Sequence, residues 1–217
     1  MKNTFLRIVD LIKKGKLIFM IKGISKRVLS KTEAFGLKRD LDANFKASDA
    51  QIDISLRPFR AEDRNYFEAD LQNAGLIEKD IQTCYVVTNI DDIPFYRHWL
   101  MDATQNKKIK EFWRQLFPTL QEDEALIENV FTIPEYRGKG IMPVALDKMA
   151  QQYKGSGIRY LMLFVELNNI PSLKGAHRSG FSPFVLRTEK WFFLKRTIRF
   201  QDVSKDVMDM YSKTINS

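Results

Sequence analysis

The sequence predicts a mixed α/β domain whose sheet combines parallel and antiparallel strands, and three observations carry that expectation. Apolar runs at Ala125–Ile133 and Arg159–Leu167 enclose a helical stretch that starts at Pro143. Ile52–Arg60 alternates apolar and polar residues, as a half-buried strand does. Pro183–Gln201 sets two β-rich runs back to back, the pattern of a hairpin.

Taken in order, the chain opens with Phe5, Ile8, Val9 and Ile12 on one helical face, widened by Leu6 and Leu11. Lys13, Lys14 and Lys16 surround Gly15, a break or kink. Leu17–Ile21 is far shorter than the roughly twenty apolar residues that span a bilayer. Lysines interrupt the run and no small-residue cleavage site follows, so a signal peptide is not expected either. Residues 1–31 therefore read as a basic amphipathic helical extension, 32–51 as a surface connection, and 52–217 as the main domain. Within that domain, Ala61–Gly75 reads as a helix, Thr83–Ile90 as a buried strand, and Pro94–Asp102 as a continuation of the sheet. Lys107–Phe117 is helical in spacing, and Pro171–Gly180 is a short helix after the second apolar run. Asp91 and Asp92 either form a hairpin turn or face a cationic substrate.

Composition narrows the function classes. At 217 residues, with a 44% hydrophobic fraction and sixteen Phe, the chain can bury a full core. Cys84 is its one cysteine, which excludes an intrachain disulfide and a cysteine-based zinc cluster. With His98 and His177 as the two histidines, no metal site is expected. This usage fits a reducing, cytoplasmic setting. The formal net charge of +8 is local: residues 1–31 hold nine basic residues and one acid, and the rest holds 26 of each. The extension then has two readings. It packs on the body or on a second copy, giving a homodimer, or it lies in the interface of an anionic membrane. There each basic residue contributes about 1 kcal/mol, and the protein would be peripheral at the inner face. Nucleic acid is not an expected partner, because no stacking pattern or known binding motif is present.

The stretch "FTIPEYRGKGIMPVAL", Phe131–Leu146, joins a strand to a helix through a Gly-x-Gly turn. Free amides at a helix start converge on an anion. Gly138 and Gly140 let main chain approach a ligand without a Cβ between. Pro143 is expected at the first helical position, where no N–H is wasted. Three glycines would be needed for a dinucleotide fingerprint, and Gly-Lys-Ser/Thr for a Walker loop; neither is present.

"IPEYRGKGI" followed by "NNIPSLKGAHRSGF" resembles the GNAT superfamily of acyl-coenzyme A dependent N-acyltransferases, and "ISLRPFRAED" is similar to its opening strand. The resemblance covers roughly residues 52–200. It implies a mainly antiparallel sheet with a splayed central strand pair and helices on both faces. It implies that Arg137, Gly138, Lys139, Gly140, Ile141 and Met142 hold the pyrophosphate of acetyl-CoA, used as co-substrate. Met142 stands where the family has a small residue. Asn169 and Ser172 match the family's next marker, and main chain at Phe131, Thr132 and Ile133 would bond the pantetheine arm. Many members carry a Tyr seven residues after the Asn; here Ala176 holds that place, with His177 beside it as a substitute acid or an exposed helix residue. Glu128, sharing a face with Val130 and Thr132 in a regular strand, is the first choice of base, and a partly buried Glu166 the second. Phe112, Trp113 and Phe117 line an acceptor pocket or cover the sheet. "GLKRDL" from Gly36 resembles members tied to surface-polysaccharide and lipid-linked glycan pathways. The implied acceptor is then a small-molecule or glycan amine. A protein amino group, or a degenerate binding module without turnover, are the alternatives.

Overall fold

The computed structural model describes residues 27–67 and 83–216. The extension up to residue 26, and the part of the 61–75 helical run beyond Phe67, lie outside the described residues. Eight strands form one sheet: β1 (Leu29–Asp40), β2 (Ser55–Pro58), β3 (Cys84–Thr88), β4 (Pro94–Asp102), β5 (Glu124–Thr132), β6 (Tyr160–Glu166), β7 (Ser182–Phe192) and β8 (Lys195–Gln201). Their order is β2-β3-β4-β5-β6-β1-β7-β8. Of the neighbouring pairs, β5 and β6 run parallel and the rest antiparallel. Among the described residues, the α-helices that complete the fold are α1 (Asn106–Trp113), α2 (Ile141–Tyr153), α3 (Ile170–His177) and α4 (Lys205–Asn216). Ala61–Phe67 is a 3-10 helix.

Alternation along the strands sorts side chains into two layers. Phe35, Leu37, Leu100, Ile127, Leu161 and Leu163 turn toward α2, α3 and α4, joining Leu146, Leu173 and Tyr211 in the larger core. Trp99, Met101, Leu126 and Met162 turn the other way and are covered by Ile109 of α1 with Phe117 and Leu120. α4 has no counterpart in the sequence reading, although Val207, Tyr211 and Ile215 pack on the core at four-residue spacing.

The stretch read as the end of the extension and the start of a connection supplies β1. That strand threads between β6 and β7 and pairs with both. Its charges are matched from distant elements: Lys38 reaches Glu124 at 2.8 Å, and the buried Arg39 reaches Asp147 at 2.6 Å and the Ser179 carbonyl at 2.9 Å. Gly36 is fixed by its neighbours, since a Cβ there would lie 2.5 Å from Val185 Cγ1 and 2.8 Å from Phe164 Cε1. Gly36→Val is therefore expected to lower unfolding free energy by about 1–3 kcal/mol through overpacking, read as an earlier urea midpoint at unchanged slope. An unchanged midpoint would mean that β1 is not held in this slot.

Candidate functional site

The site begins where the parallel pair parts. β5 and β6 are in register from Glu124↔Tyr160 to Ile127↔Leu163. Beyond Ile127, β5 stays with β4 as far as Thr132↔Tyr96, while β6 stays with β1 as far as Glu166↔Ala34. The facing edges of Glu128–Thr132 and Phe164–Glu166 thus form a wedge of main chain that can receive an extended ligand as an added strand.

A β-bulge shapes one wall of the wedge. Trp99 pairs with Glu128 and Arg97 with Phe131, so the one intervening residue on β4, His98, is opposed by two on β5, Asn129 and Val130, and Asn129 takes the left-handed φ of 53°. The regular alternation expected of β5 does not hold. Glu128 faces the same side as Trp99, whereas Val130 packs on the α2 side. After the bulge Phe131 rejoins the Glu128 side, with Phe67 edge-on at 6.2 Å.

At the wedge's mouth the chain turns into α2. Gly138 and Gly140 have φ of 77° and 73°, a region that only glycine enters without cost. A Cβ on Gly138 would meet nothing within 4 Å, so its main chain borders open space. Gly140 is the N-cap of α2, and no side chain caps that helix start. Its amides and the positive end of the helix dipole therefore suit a phosphate-bearing ligand. The turn is braced from outside, by the Gln51 N–H on the Lys139 carbonyl at 3.0 Å and by Arg137 Nε on the Thr132 carbonyl at 3.0 Å. Ile133 donates its N–H to the Phe95 carbonyl at 2.9 Å.

Pro143 falls third in α2, not first; it still lies in the turn whose N–H groups have no partner within the helix. Met142 is accommodated by α3: its Sδ lies 2.8 Å from where a Cβ on Gly175 would stand, so that glycine provides the room. Asn169 and Ser172 meet at the start of α3, where Asn169 Oδ1 accepts the Ser172 N–H at 3.4 Å.

The candidate acid–base residues separate by burial. Glu128 is half-buried, and burial pushes its carboxyl up to about 7, against the Asn129 N–H and the Arg187 charge. Glu166 is exposed, which corrects the expectation of a partly buried carboxyl there. His177 is exposed too, with its ring 6.2 Å from Tyr211, while Ala176 is buried. Tyr211, brought from α4, places a phenol in the same buried cluster as Ala176. Asp92 sits in the β3–β4 turn at φ 59° and bonds Arg57 and Arg60, away from the wedge.

Arg187 escaped the sequence reading. It is buried on the Glu128 side, donates to the Leu116 carbonyl at 3.1 Å, and lies over the rings of Phe117 and Phe164 at 5.5 and 5.0 Å. Burial lowers its pKa, opposed by the charges of Glu128, Glu189 and Glu166. Nothing local in "VLRTEKW" marks it, because its position depends on β1 and β6 standing between it and β5. Phe112, Trp113 and Phe117 cover this side of the sheet, with Phe117 and Phe164 ring centroids 5.4 Å apart. Among the described residues no group of His, Cys, Asp and Glu could hold a metal ion.

Comparison with known proteins bears on the same segment. Residues 82–181 match the Acetyltransferase (GNAT) family. Over 110 residues the chain is 26% identical to the uncharacterized N-acetyltransferase YycN of Bacillus subtilis (strain 168), covering 51% of this chain and 70% of that protein. A GCN5-related N-acetyltransferase from Sphaerobacter thermophilus superposes with a TM-score of 0.51 at 15% identity, over 80% of this chain and 56% of that one. A GCN5-related glucosamine N-acetyltransferase region in a fungal multi-domain GH3 β-N-acetylglucosaminidase gives 0.53 at 16% identity, over 82% of this chain and 22% of that one. The chain thus spans little more than half of the first structure and under a quarter of the second. At these identities the structures establish likeness of fold.

Proposed function

We propose that this chain, whose residues 82–181 match the Acetyltransferase (GNAT) family and whose fold is GNAT-like, transfers an acetyl group from acetyl-CoA to a primary amine. The observation that supports this best is the parting of β5 from β6 immediately before the uncapped, glycine-lined start of α2. A pyrophosphate would sit against the amides of Gly138–Met142, with Arg137 and Lys139 adding charge. The pantetheine arm would run along main chain at Phe131, Thr132 and Ile133, with Asn169 and Ser172 on the α3 side. The thioester would then lie in the wedge.

In this reading Glu128 takes a proton from the acceptor ammonium, and its near-neutral carboxyl suits that task. The free amine attacks the thioester carbonyl directly: an N–C bond forms, the C–S bond breaks, the nitrogen gives up its second proton to solvent as the amide forms, and the thiolate takes a proton from solvent. His177 is reachable by solvent, so it competes with water for that last step. The charge of Arg187 favours the carboxylate form of Glu128, and Glu166 adds negative charge at the wedge's outer edge. Carboxylates beside the half-buried rings of Phe131 and Phe164 suit an amine carried on a ring, in keeping with an amino sugar or lipid-linked glycan precursor. Gly175 makes space for Met142 where α3 meets α2.

The deciding experiment follows thiol release from acetyl-CoA across amino sugars, small amines and peptides with free N-termini. Turnover of amino sugars above the others is expected. Preference for peptides would move the acceptor to a protein amino group, and absence of both turnover and coenzyme binding would overturn the reading.

A further inference from the structure

The β7–β8 hairpin ends in a turn that local chemistry does not favour. Phe192 pairs with Lys195, leaving Phe193 and Leu194 as a two-residue loop with φ of 41° and 66°. Such a turn needs positive φ at both positions, and Asn-Gly is the sequence that provides it at least strain. This chain instead holds two bulky apolar residues in the left-handed region and exposes them, Phe193 by 72% and Leu194 by 67%. Strain kept at an exposed position points to a use for the side chains there.

The tip is part of a larger patch. Phe192 is 63% exposed, and Leu29 and Val28 at the start of β1 are 72% and 42% exposed. Main chain joins the two halves, since the N–H groups of Phe193 and Leu194 donate to the carbonyls of Val28 and Arg27 at 2.9 and 2.8 Å. Basic residues surround it: Arg27, Lys190 and Lys195 are exposed, and Lys31 follows on β1. The nearby acids are already engaged, Glu33 with Lys31 at 3.0 Å and Glu189 with Arg196 at 2.7 Å. The sequence immediately before Arg27 carries seven basic residues and one acid in 26 positions.

We propose that the Phe192–Leu194 tip, with Val28 and Leu29, inserts into the interface of an anionic phospholipid bilayer. Apolar side chains at a protruding tip within a basic surround match the apolar depth and negative charge of that interface. Among the described residues no helix is long and apolar enough to cross a membrane. The inference stands apart from the acyl-transfer reading.

The test sediments the full chain with vesicles of phosphatidylcholine alone and with phosphatidylserine added, comparing the parent with Phe193→Asn/Leu194→Gly. That pair is the favoured turn sequence, so the variant is expected to fold and to melt at the parent's temperature or above. Expected is pelleting of the parent with the serine-containing vesicles, reduced in the variant on the order of tenfold or more, with the acetyl-CoA thermal shift unchanged. Equal pelleting of parent and variant, or none by the parent, would overturn the proposal. Self-association of the parent that the variant loses, without vesicle binding, would assign the patch to a second copy instead.

Discussion

Glu128→Gln is expected to lower kcat about 10²- to 10⁴-fold while making the protein more stable at alkaline pH. Both effects come from one cause. Burial raises the Glu128 carboxyl from its ordinary 4.5 to about 7. Between those values the unfolded chain has already lost the proton that the folded chain keeps. Stability therefore falls as pH rises through that window, and above it the folded protein carries a charge that burial disfavours. Gln fills the same space without that charge, so the variant should gain up to about 3 kcal/mol over the parent above pH 7. Activity runs the other way. In the parent, kcat/KM should rise with pH through about 7 as the carboxylate forms, and Gln should abolish that limb. Urea unfolding and pH–rate profiles on the two proteins read both quantities. A kcat within threefold of the parent, with the limb intact, would remove Glu128 from the chemistry.

Gly138→Glu is expected to abolish stabilisation by acetyl-CoA. Ligand at about 100 times its Kd should stabilise the parent by about 2.7 kcal/mol, a rise in Tm of roughly 5–10 °C for a domain of this size. A side chain on Gly138 projects into the open space beside the turn, and a carboxylate there repels a pyrophosphate. The φ of 77° adds about 1–2 kcal/mol of strain in the free variant, so the informative quantity is the ligand-induced shift and not the absolute Tm. A shift retained in the variant would place the coenzyme elsewhere. No shift in the parent would remove the coenzyme from the function altogether.

Much of this site could be read from local chemistry. A strand, a turn with two left-handed glycines and a helix follow from "FTIPEYRGKGIMPVAL" because φ sign, helix starts and apolar periodicity are properties of neighbouring residues. The hairpin after Pro183 was legible for the same reason, and so was the β3–β4 turn at Asp91–Asp92. What remained hidden depends on partners far along the chain. Residues 29–31 read as the end of the extension and 32–40 as a charged connection because Lys38 and Arg39 find their carboxylates at Glu124 and Asp147, 86 and 108 positions away. Only with those partners can the strand enter the middle of the sheet. The bulge at Asn129 is set by how β5 registers against β4, and it separates Glu128, on the Trp99 side, from Val130, which packs on the α2 side. Arg187 becomes part of the site because the wedge and the rings of Phe117 and Phe164 converge on it. The sequence by itself determined the strand, the glycine turn and the helix start around Phe131–Leu146, whose energies are local; the tertiary structure decided which buried charges meet, because pairing across the sheet exists only after the sheet has formed.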